Sequence, residues 1–141
     1  MHVHFNGHTT ATVQKVSESE LNAIMPDEDR GCFDYTWDAN LQDDILTVAF
    51  TTAIFINQAL TGAEASEVEA HERQHFEDFH RLARDLKESI ETALENGQDH
   101  EIVNRLDWFD YDNWKAKKQR HAEAGVVDHS HCPEPITPRP A

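Results

Sequence analysis

Alternation of apolar and polar positions predicts strands in the first part of the chain. Residues 32–38 place aromatic side chains at every second position, as expected of a strand with one solvated face. Residues 45–56 carry large apolar side chains on one face and small residues on much of the other, which favours a strand inside a covered sheet. Residues 8–16 are rich in threonine and valine and also predict a strand. Ser17 and Glu20 then match a capping box for a short helix.

A different pattern, with apolar residues three and four positions apart, predicts a long helix in the middle of the chain. Thr61 and Glu64 match a capping box at its start, and Asn96 followed by Gly97 supplies its end. The pattern spans about 35 residues, or roughly 50 Å of helix. The predicted inward stripe consists of Val68, His71, His75, Phe79, Leu82, Leu86, Ile90 and Leu94.

Two shorter helices are predicted after the long one. Asp99 caps the first, which runs through Leu106, and the second spans residues 112–124. The remainder is rich in proline and predicts an irregular tail. We therefore expect one α+β domain over residues 1–125, with an antiparallel or mixed sheet packed on the long helix, and a tail over residues 126–141.

Composition narrows the classes of partner. A chain of 141 residues with 38% hydrophobic residues is long enough for one domain with its own core. Its 27 acidic and 12 basic residues give a formal net charge of −15, which disfavours nucleic acid and anionic lipid as partners. No window is apolar enough for a membrane span, and residues 1–7 lack the apolar core of a signal peptide.

The long helix contains the sequence H-E-x-x-H, formed by His71, Glu72 and His75. Both histidines fall on the predicted inward stripe, and imidazoles at positions i and i+4 can reach a single metal ion. Glu72 borders the same face, where a carboxylate is costly to bury unless it serves a bound water or a partner. The alternative is a pair of core histidines satisfied by carboxylates or carbonyl groups. His80 shares a face with charged residues and is predicted to lie at the surface.

The motif and the strand before it resemble the zincin metallopeptidases, whose active-site helix bears H-E-x-x-H and follows a sheet. This resemblance covers residues 45–94. The aromatic segment, the strand, the helix and a late histidine near a glycine are also similar to a bacterial family of small predicted secreted zinc proteases of unknown function. The resemblance implies a zincin-like domain that holds Zn²⁺, acts on a peptide or protein substrate and is secreted or periplasmic.

The zincin pattern is incomplete beyond the second histidine. Asp78 and Arg81 stand where metzincins have a glycine and a third histidine, so a third ligand must come from elsewhere. His121 lies on the one face of its predicted helix that can pack inward, and it corresponds to the late histidine of the small proteases. It is the favoured third ligand, with Glu101 or Glu123 on a second helix as the alternatives.

The resulting hypothesis is a zinc-dependent peptidase with metal ligands His71, His75 and His121 and with Glu72 as the general base. Tyr111 is a candidate for assisting the oxyanion, and a peptide can bind as an added strand along a sheet edge. One alternative is a non-catalytic module that is metal-stabilised or binds proteins. Another is a di-iron protein, which would need a second Glu-x-x-His pair on a different helix.

The two ends of the chain contain further potential ligands. His2 and His4 lie at the start, and residues 129–132 read His-Ser-His-Cys near the end. Histidines at chain ends are mostly incidental. If the protein is exported, Cys32 and Cys132 are predicted to form a disulfide that ties down the tail.

Overall fold

The chain folds into one four-stranded sheet and three α-helices. A computed structural model describes residues 2–25 and 30–123. The elements in order are β1 (His2–Asn6), β2 (Thr12–Val16), α1 (Glu18–Ile24), β3 (Gly31–Gln42), β4 (Ile45–Asn57), α2 (Gly62–Glu95) and α3 (Ile102–Glu123). A 3-10 turn, Asp99–Glu101, precedes α3. The predicted α+β class with a mixed sheet is confirmed at this coarse level.

The strand β4 is the centre of the sheet. β3 pairs antiparallel with β4 over the whole of its own length, from Gly31 opposite Ile56 to Gln42 opposite Ile45. β1 and β2 both pair parallel with β4, β1 with residues 45–49 and β2 with residues 53–57. Because β3 occupies one edge of β4, β1 and β2 follow one another along the opposite edge.

The strand β1 was not expected from the sequence, and the strand predicted over residues 8–16 is shorter than expected. The chain leaves the sheet between β1 and β2, where Gly7 has a φ of 79°. A Cβ atom at Gly7 would collide with the carbonyl oxygen of Phe50, so this close approach requires glycine. Thr52 Oγ1, on β4, donates a hydrogen bond of 2.7 Å to Thr10 O and so holds the connection between β1 and β2 against β4.

The predicted helix starts and ends are only partly correct. The capping box at Ser17 is confirmed, because its hydroxyl accepts a hydrogen bond from Glu20 N at 3.1 Å. The predicted capping box at Thr61 is wrong, because Thr61 makes no side-chain cap bond. Gly62 has a φ of 57° there, so the chain enters α2 along a different path.

The prediction of two short helices after α2 is also wrong. A single helix, α3, runs for 22 residues from Ile102 to Glu123. The aspartates at positions 107, 110 and 112 favour a helix start in isolation, whereas here the helix continues through them. Packing of Leu106 and Phe109 against the core overrides that local preference.

The main core lies between the sheet and α2. It is built from alternate side chains of the strands and from the inward stripe of α2, with Phe79, Ile54, Ile90 and Val48 fully buried. The other face of the sheet is partly covered by α1, where Val16, Leu21, Met25 and Cys32 form a smaller cluster. Within the described residues no helix is long and apolar enough to cross a membrane.

The helix α3 packs antiparallel on α2 and is tied to the sheet by one carboxylate. Asp110 accepts hydrogen bonds from Tyr35 Oη at 2.8 Å and from Trp37 Nε1 at 3.0 Å, both on β3. Burial raises the pKa of Asp110, against the lowering effect of these two donors. At the hairpin end, Arg105 Nη1 donates to Ser89 Oγ at 2.8 Å. These contacts fix how far α3 extends back along α2.

Candidate metal centre

The inward stripe of α2 becomes polar where the helix passes the start of β3. The buried positions, at steps of three and four, are Val68, Glu72, His75, Phe79, Ala83, Leu86, Ile90 and Ala93. His75 is 5% exposed, as predicted for a core-facing residue. The other two motif residues differ from expectation, because Glu72 is on the buried stripe and the side chain of His71 is 33% exposed.

The last turn of α3 adds His121 to this group. His121 is 5% exposed, and its Nε2 lies 3.1 Å from His75 Nε2. His75 Nε2 in turn lies 3.3 Å from His71 Nε2. The ligand atoms of the three residues all lie within 4.8 Å of one another. The structure therefore places three histidines, from two helices, within metal-binding distance of a common point.

Two of the three nitrogen separations in this group are close to those around a tetrahedral ion, and the third is no more than 4.8 Å. Nitrogen ligands about 2.0–2.1 Å from such an ion lie roughly 3.3 Å from each other. The measured separations of 3.1 and 3.3 Å are close to this value. The side chain of His71 is 33% exposed, whereas His75 and His121 are each 5% exposed, so the group borders solvent at His71.

Burial and neighbouring charges keep His71 and His75 neutral, which is the form of imidazole that binds metal. Burial lowers the pKa of His75 to about 3, with a further contribution from His71 and from the cations Lys117 and Arg120. The pKa of His71 is also lowered, mainly by burial and then by His121 and the same two cations. At neutral pH no proton competes at these two residues for the lone pairs.

Glu72 lies beside the three histidines without belonging to their group. Its Oε1 is 3.8 Å from His71 Nε2, and the residue is 5% exposed. The start of β3 packs against it, because a Cβ atom built on Gly31 would lie 3.7 Å from Glu72 Cγ and only 2.5 Å from Val68 Cγ1. Gly31 therefore lets the backbone of β3 approach this part of α2 more closely than any other residue would.

One atom of the group departs from a usual zinc site. A histidine that binds metal through one ring nitrogen normally donates the other N–H to a carboxylate, carbonyl group or water. His75 Nδ1 is buried and has no hydrogen-bond partner among the described residues. Burial of this nitrogen without a hydrogen bond costs free energy in either tautomer of His75.

The other predicted ligands lie away from the three histidines. Glu101 is in the 3-10 turn, with its Oε1 3.7 Å from His100 Nε2. Glu123 is exposed and accepts a hydrogen bond from Gln119 at 3.1 Å. Tyr111 packs beside Trp114 with ring centroids 5.7 Å apart. Ten residues separate Tyr111 from His121 on one helix, which is roughly 15 Å of rise, so Tyr111 is too remote to assist the oxyanion.

The remaining histidines form a different kind of contact. His80 was predicted at the surface, yet it is half-buried, stacked on Phe76 and 5.9 Å between centroids from His8. Burial, followed by the charges of His80 and Lys87, lowers the pKa of His8. His2 and His4 are exposed on β1. His8, His80, His2 and His4 are in no described group of three or more potential ligands.

Part of the sequence hypothesis lies outside the described residues. The predicted tail over residues 126–141, including His129 and Cys132, is not among them, nor is the domain end at 125. Cys32 is 1% exposed beneath α1. The disulfide between Cys32 and Cys132 stays a prediction.

Sequence reasoning missed one contact at the site. Arg120, next to His121, donates two hydrogen bonds to Asp78 on α2, at 2.6 and 2.9 Å. These residues are separated by 42 positions, and each stands on a charged stretch that predicts only a solvated face. No periodic pattern links them, so only the packing of the two helices reveals the pair.

Comparisons with protein families, with curated proteins and with solved structures found no match to this chain.

Proposed function

We propose that the protein is a zinc-dependent peptidase whose metal ion is held by His71, His75 and His121. The observation that carries this proposal is the convergence of one ring nitrogen from each of the three histidines within 4.8 Å, with a buried carboxylate next to them. Three histidine imidazoles, one of them on a side chain that is 33% exposed, are a donor set that suits zinc. The H-E-x-x-H order on one helix adds the expected position of a general base.

A zinc ion held by His71, His75 and His121 would supply a bound water of lowered pKa and would polarise a substrate carbonyl group. Glu72 accepts the proton of the attacking water and then delivers it to the leaving amine. Its carboxylate is placed for both steps, because Oε1 lies 3.8 Å from His71 Nε2 and so next to the proposed metal position. A residue with only a structural role would rarely be an acidic one with 5% exposure.

The outer edge of β3 supports a peptide as the substrate. Among the described strands none pairs with that edge. Asn57 N donates to Arg30 O at 2.9 Å, so by the alternation of an antiparallel ladder the backbone groups of Gly31 and Phe33 point away from β4. An extended peptide that paired with them would run close to Glu72, whose Cγ would lie 3.7 Å from a Cβ atom built on Gly31.

The proposal is tested by changing Glu72→Gln, which keeps the shape of the side chain and removes the base. Hydrolysis of a fluorogenic peptide library by the zinc-loaded protein should fall by a factor on the order of 10² to 10⁴. Zinc affinity, measured by chelator competition, should stay near that of the wild type. Glu77→Gln is the matched control, because Glu77 lies on the exposed face of the same helix and the variant should keep its activity.

Two results would contradict the assignment. If Glu72→Gln released zinc as readily as His71→Ala, Glu72 would be a ligand and the hydrolytic scheme would be lost. If His121→Ala bound zinc as tightly as the wild type, the third ligand would be a different residue and only the two histidines of α2 would remain.

A second candidate function is a structural metal site, which stabilises the fold without catalysis. It is favoured by the position of the ligands, because His75 and His121 stand 46 residues apart on separate helices and a bound ion would join them. In this case zinc raises the melting temperature of the wild type, while neither the wild type nor Glu77→Gln hydrolyses any peptide in the library.

A further inference from the structure

The ion pair between Asp78 and Arg120 joins α2 and α3 beside the three histidines. Arg120 Nε donates to Asp78 Oδ2 at 2.6 Å, and Arg120 Nη2 donates to Asp78 Oδ1 at 2.9 Å. Such a two-point contact fixes both the distance between the groups and the plane in which they lie. The Asp78 side chain is 15% exposed and that of Arg120 is 35% exposed, so the pair is partly shielded from water.

The pair occupies the same turns of the two helices as the histidines. Arg120 directly precedes His121, and Asp78 follows His75 by three positions, which makes it a neighbour on the helix surface. A shift of Arg120 relative to Asp78 would therefore move the ring of His121 relative to that of His75 by a similar amount.

Apolar packing does little to hold this end of α3. The buried residues of α3 are Leu106, Phe109 and His121. Beyond Phe109 the helix therefore continues for almost four turns to Glu123 with His121 as its only buried residue. The position of this end depends on polar contacts to α2.

We propose that Asp78 and Arg120 are positioning residues that hold His121 at ligand distance from His71 and His75. This inference rests on the proposed zinc site and names what pre-organises its third ligand. The need is geometric, because a zinc–nitrogen bond of about 2.0–2.1 Å tolerates displacements of only a few tenths of an ångström. A hairpin end with few apolar contacts does not supply that precision without a directional link.

A role in general stability predicts a different result from a role in positioning. A partly exposed ion pair contributes little to the free energy of unfolding, so its loss alone leaves the fold intact. A misplaced third ligand instead weakens metal binding and changes the coordination geometry. Metal affinity and the visible spectrum of the cobalt-substituted protein report these effects separately from the stability of the fold.

The experiment compares Asp78→Asn with Arg81→Gln in the full chain. Arg81 Nη2 approaches the same carboxylate at 3.9 Å, but it belongs to α2 and does not link the helices. We expect Asp78→Asn to lower zinc affinity by about 10- to 100-fold, the range seen when a residue supporting a ligand is lost. Arg81→Gln should leave zinc affinity within about twofold of the wild type.

Cobalt substitution provides the geometric readout. The wild type should show the intense visible bands of a four-coordinate cobalt ion, and Asp78→Asn should show weaker, shifted bands. Arg120→Lys is the conservative variant, which keeps the charge and loses the planar two-point contact. Its zinc affinity and spectrum should lie between those of the wild type and Asp78→Asn, and it replaces Asp78→Asn if that variant does not fold.

The outcomes separate this inference from the proposed function. If the wild type binds zinc and both Asp78→Asn and Arg120→Lys keep its affinity and cobalt spectrum, the positioning role is wrong and the zinc site stands. If Arg81→Gln loses as much affinity as Asp78→Asn, the effect is one of local charge and the positioning role is again wrong. If the wild type binds no zinc, the proposed function fails and takes the inference with it.

Discussion

The two ends of the α2–α3 hairpin are held together by different forces. Near the connection between the helices, Leu86, Ile90, Leu106 and Phe109 are buried in the main core. At the far end the helices meet through His75 and His121, and through the pair of Asp78 with Arg120. The apolar end gains stability mainly from burial, whereas the three histidines at the far end would gain stability when a metal ion binds them.

This difference separates the parts of the molecule that maintain the fold from the part that can bind a ligand. The apolar end should be equally stable with and without metal, because the three potential ligands lie at the other end of the hairpin. The histidine end should be the region whose order depends on metal. Variants at the two ends therefore test the comparison directly.

The largest effect on stability is expected at the apolar end. Phe109 is 2% exposed, and Phe109→Ala removes a ring that packs on Tyr35, Phe50 and Phe79. The variant should lower the free energy of unfolding by about 3–5 kcal/mol, measured by urea denaturation. Its zinc affinity, measured under conditions where it is folded, should change only a few-fold. A loss of zinc affinity as large as that of a ligand variant would show that the two ends do not act separately.

The next effect in size is expected at the histidine end. His75→Ala removes the ligand that lies between the other two, and it should lower zinc affinity by more than about 100-fold, or roughly 2.7 kcal/mol of binding free energy. The melting temperature of the metal-free protein should change little. His80→Ala is the control, because His80 stacks on Phe76 and lies outside the group of three. Zinc binding that survives His75→Ala would disprove the site.

The smallest effect is the pH dependence of the metal-free protein. The pKa of His75 is about 3 in the folded state, below its ordinary value of 6.5. As the pH falls below 6.5, His75 binds a proton in the unfolded chain but not in the folded state. The free energy of unfolding therefore decreases until about pH 3. At pH 5 the loss should be about 2 kcal/mol relative to neutral pH. Urea denaturation of wild type and His75→Ala at both pH values measures it, and the variant should lose less.

The sequence predicted the elements whose signals are periodic. The 3.6-residue repeat located α2 to within one or two residues, and the same repeat placed His75 in the interior. The repeat could not show which of two adjacent residues at the border of the stripe is the more buried. Glu72 and His71 differ by 100° around the helix, and which of them is buried depends on the approach of β3 at Gly31.

The parts that were missed depend on contacts distant in sequence. The segment His2–Asn6 does alternate, with Val3 and Phe5 directed inward, but five residues at a chain end predict a strand only when a partner is known. Its partner is the parallel strand β4. Likewise the continuity of α3 through Asp107 and Asp110 is supported by the core packing described above and by the hydrogen bonds that Asp110 accepts from β3, which no local rule anticipates.

The connection between α2 and α3 also bears on the order in which the chain assembles. The hairpin closes locally, since Arg105 and Ser89 are only 16 residues apart. Once it has closed, each further contact between the two helices costs only a small additional loss of chain entropy. The strand β1 has to wait for β4, because His2 pairs with Ile45. We therefore expect the helical hairpin to belong to the folding nucleus and β1 to join late. In that order the zipping hairpin would bring the imidazoles together while the sheet is still incomplete, and a metal ion present during folding would have access to them before β1 is in place.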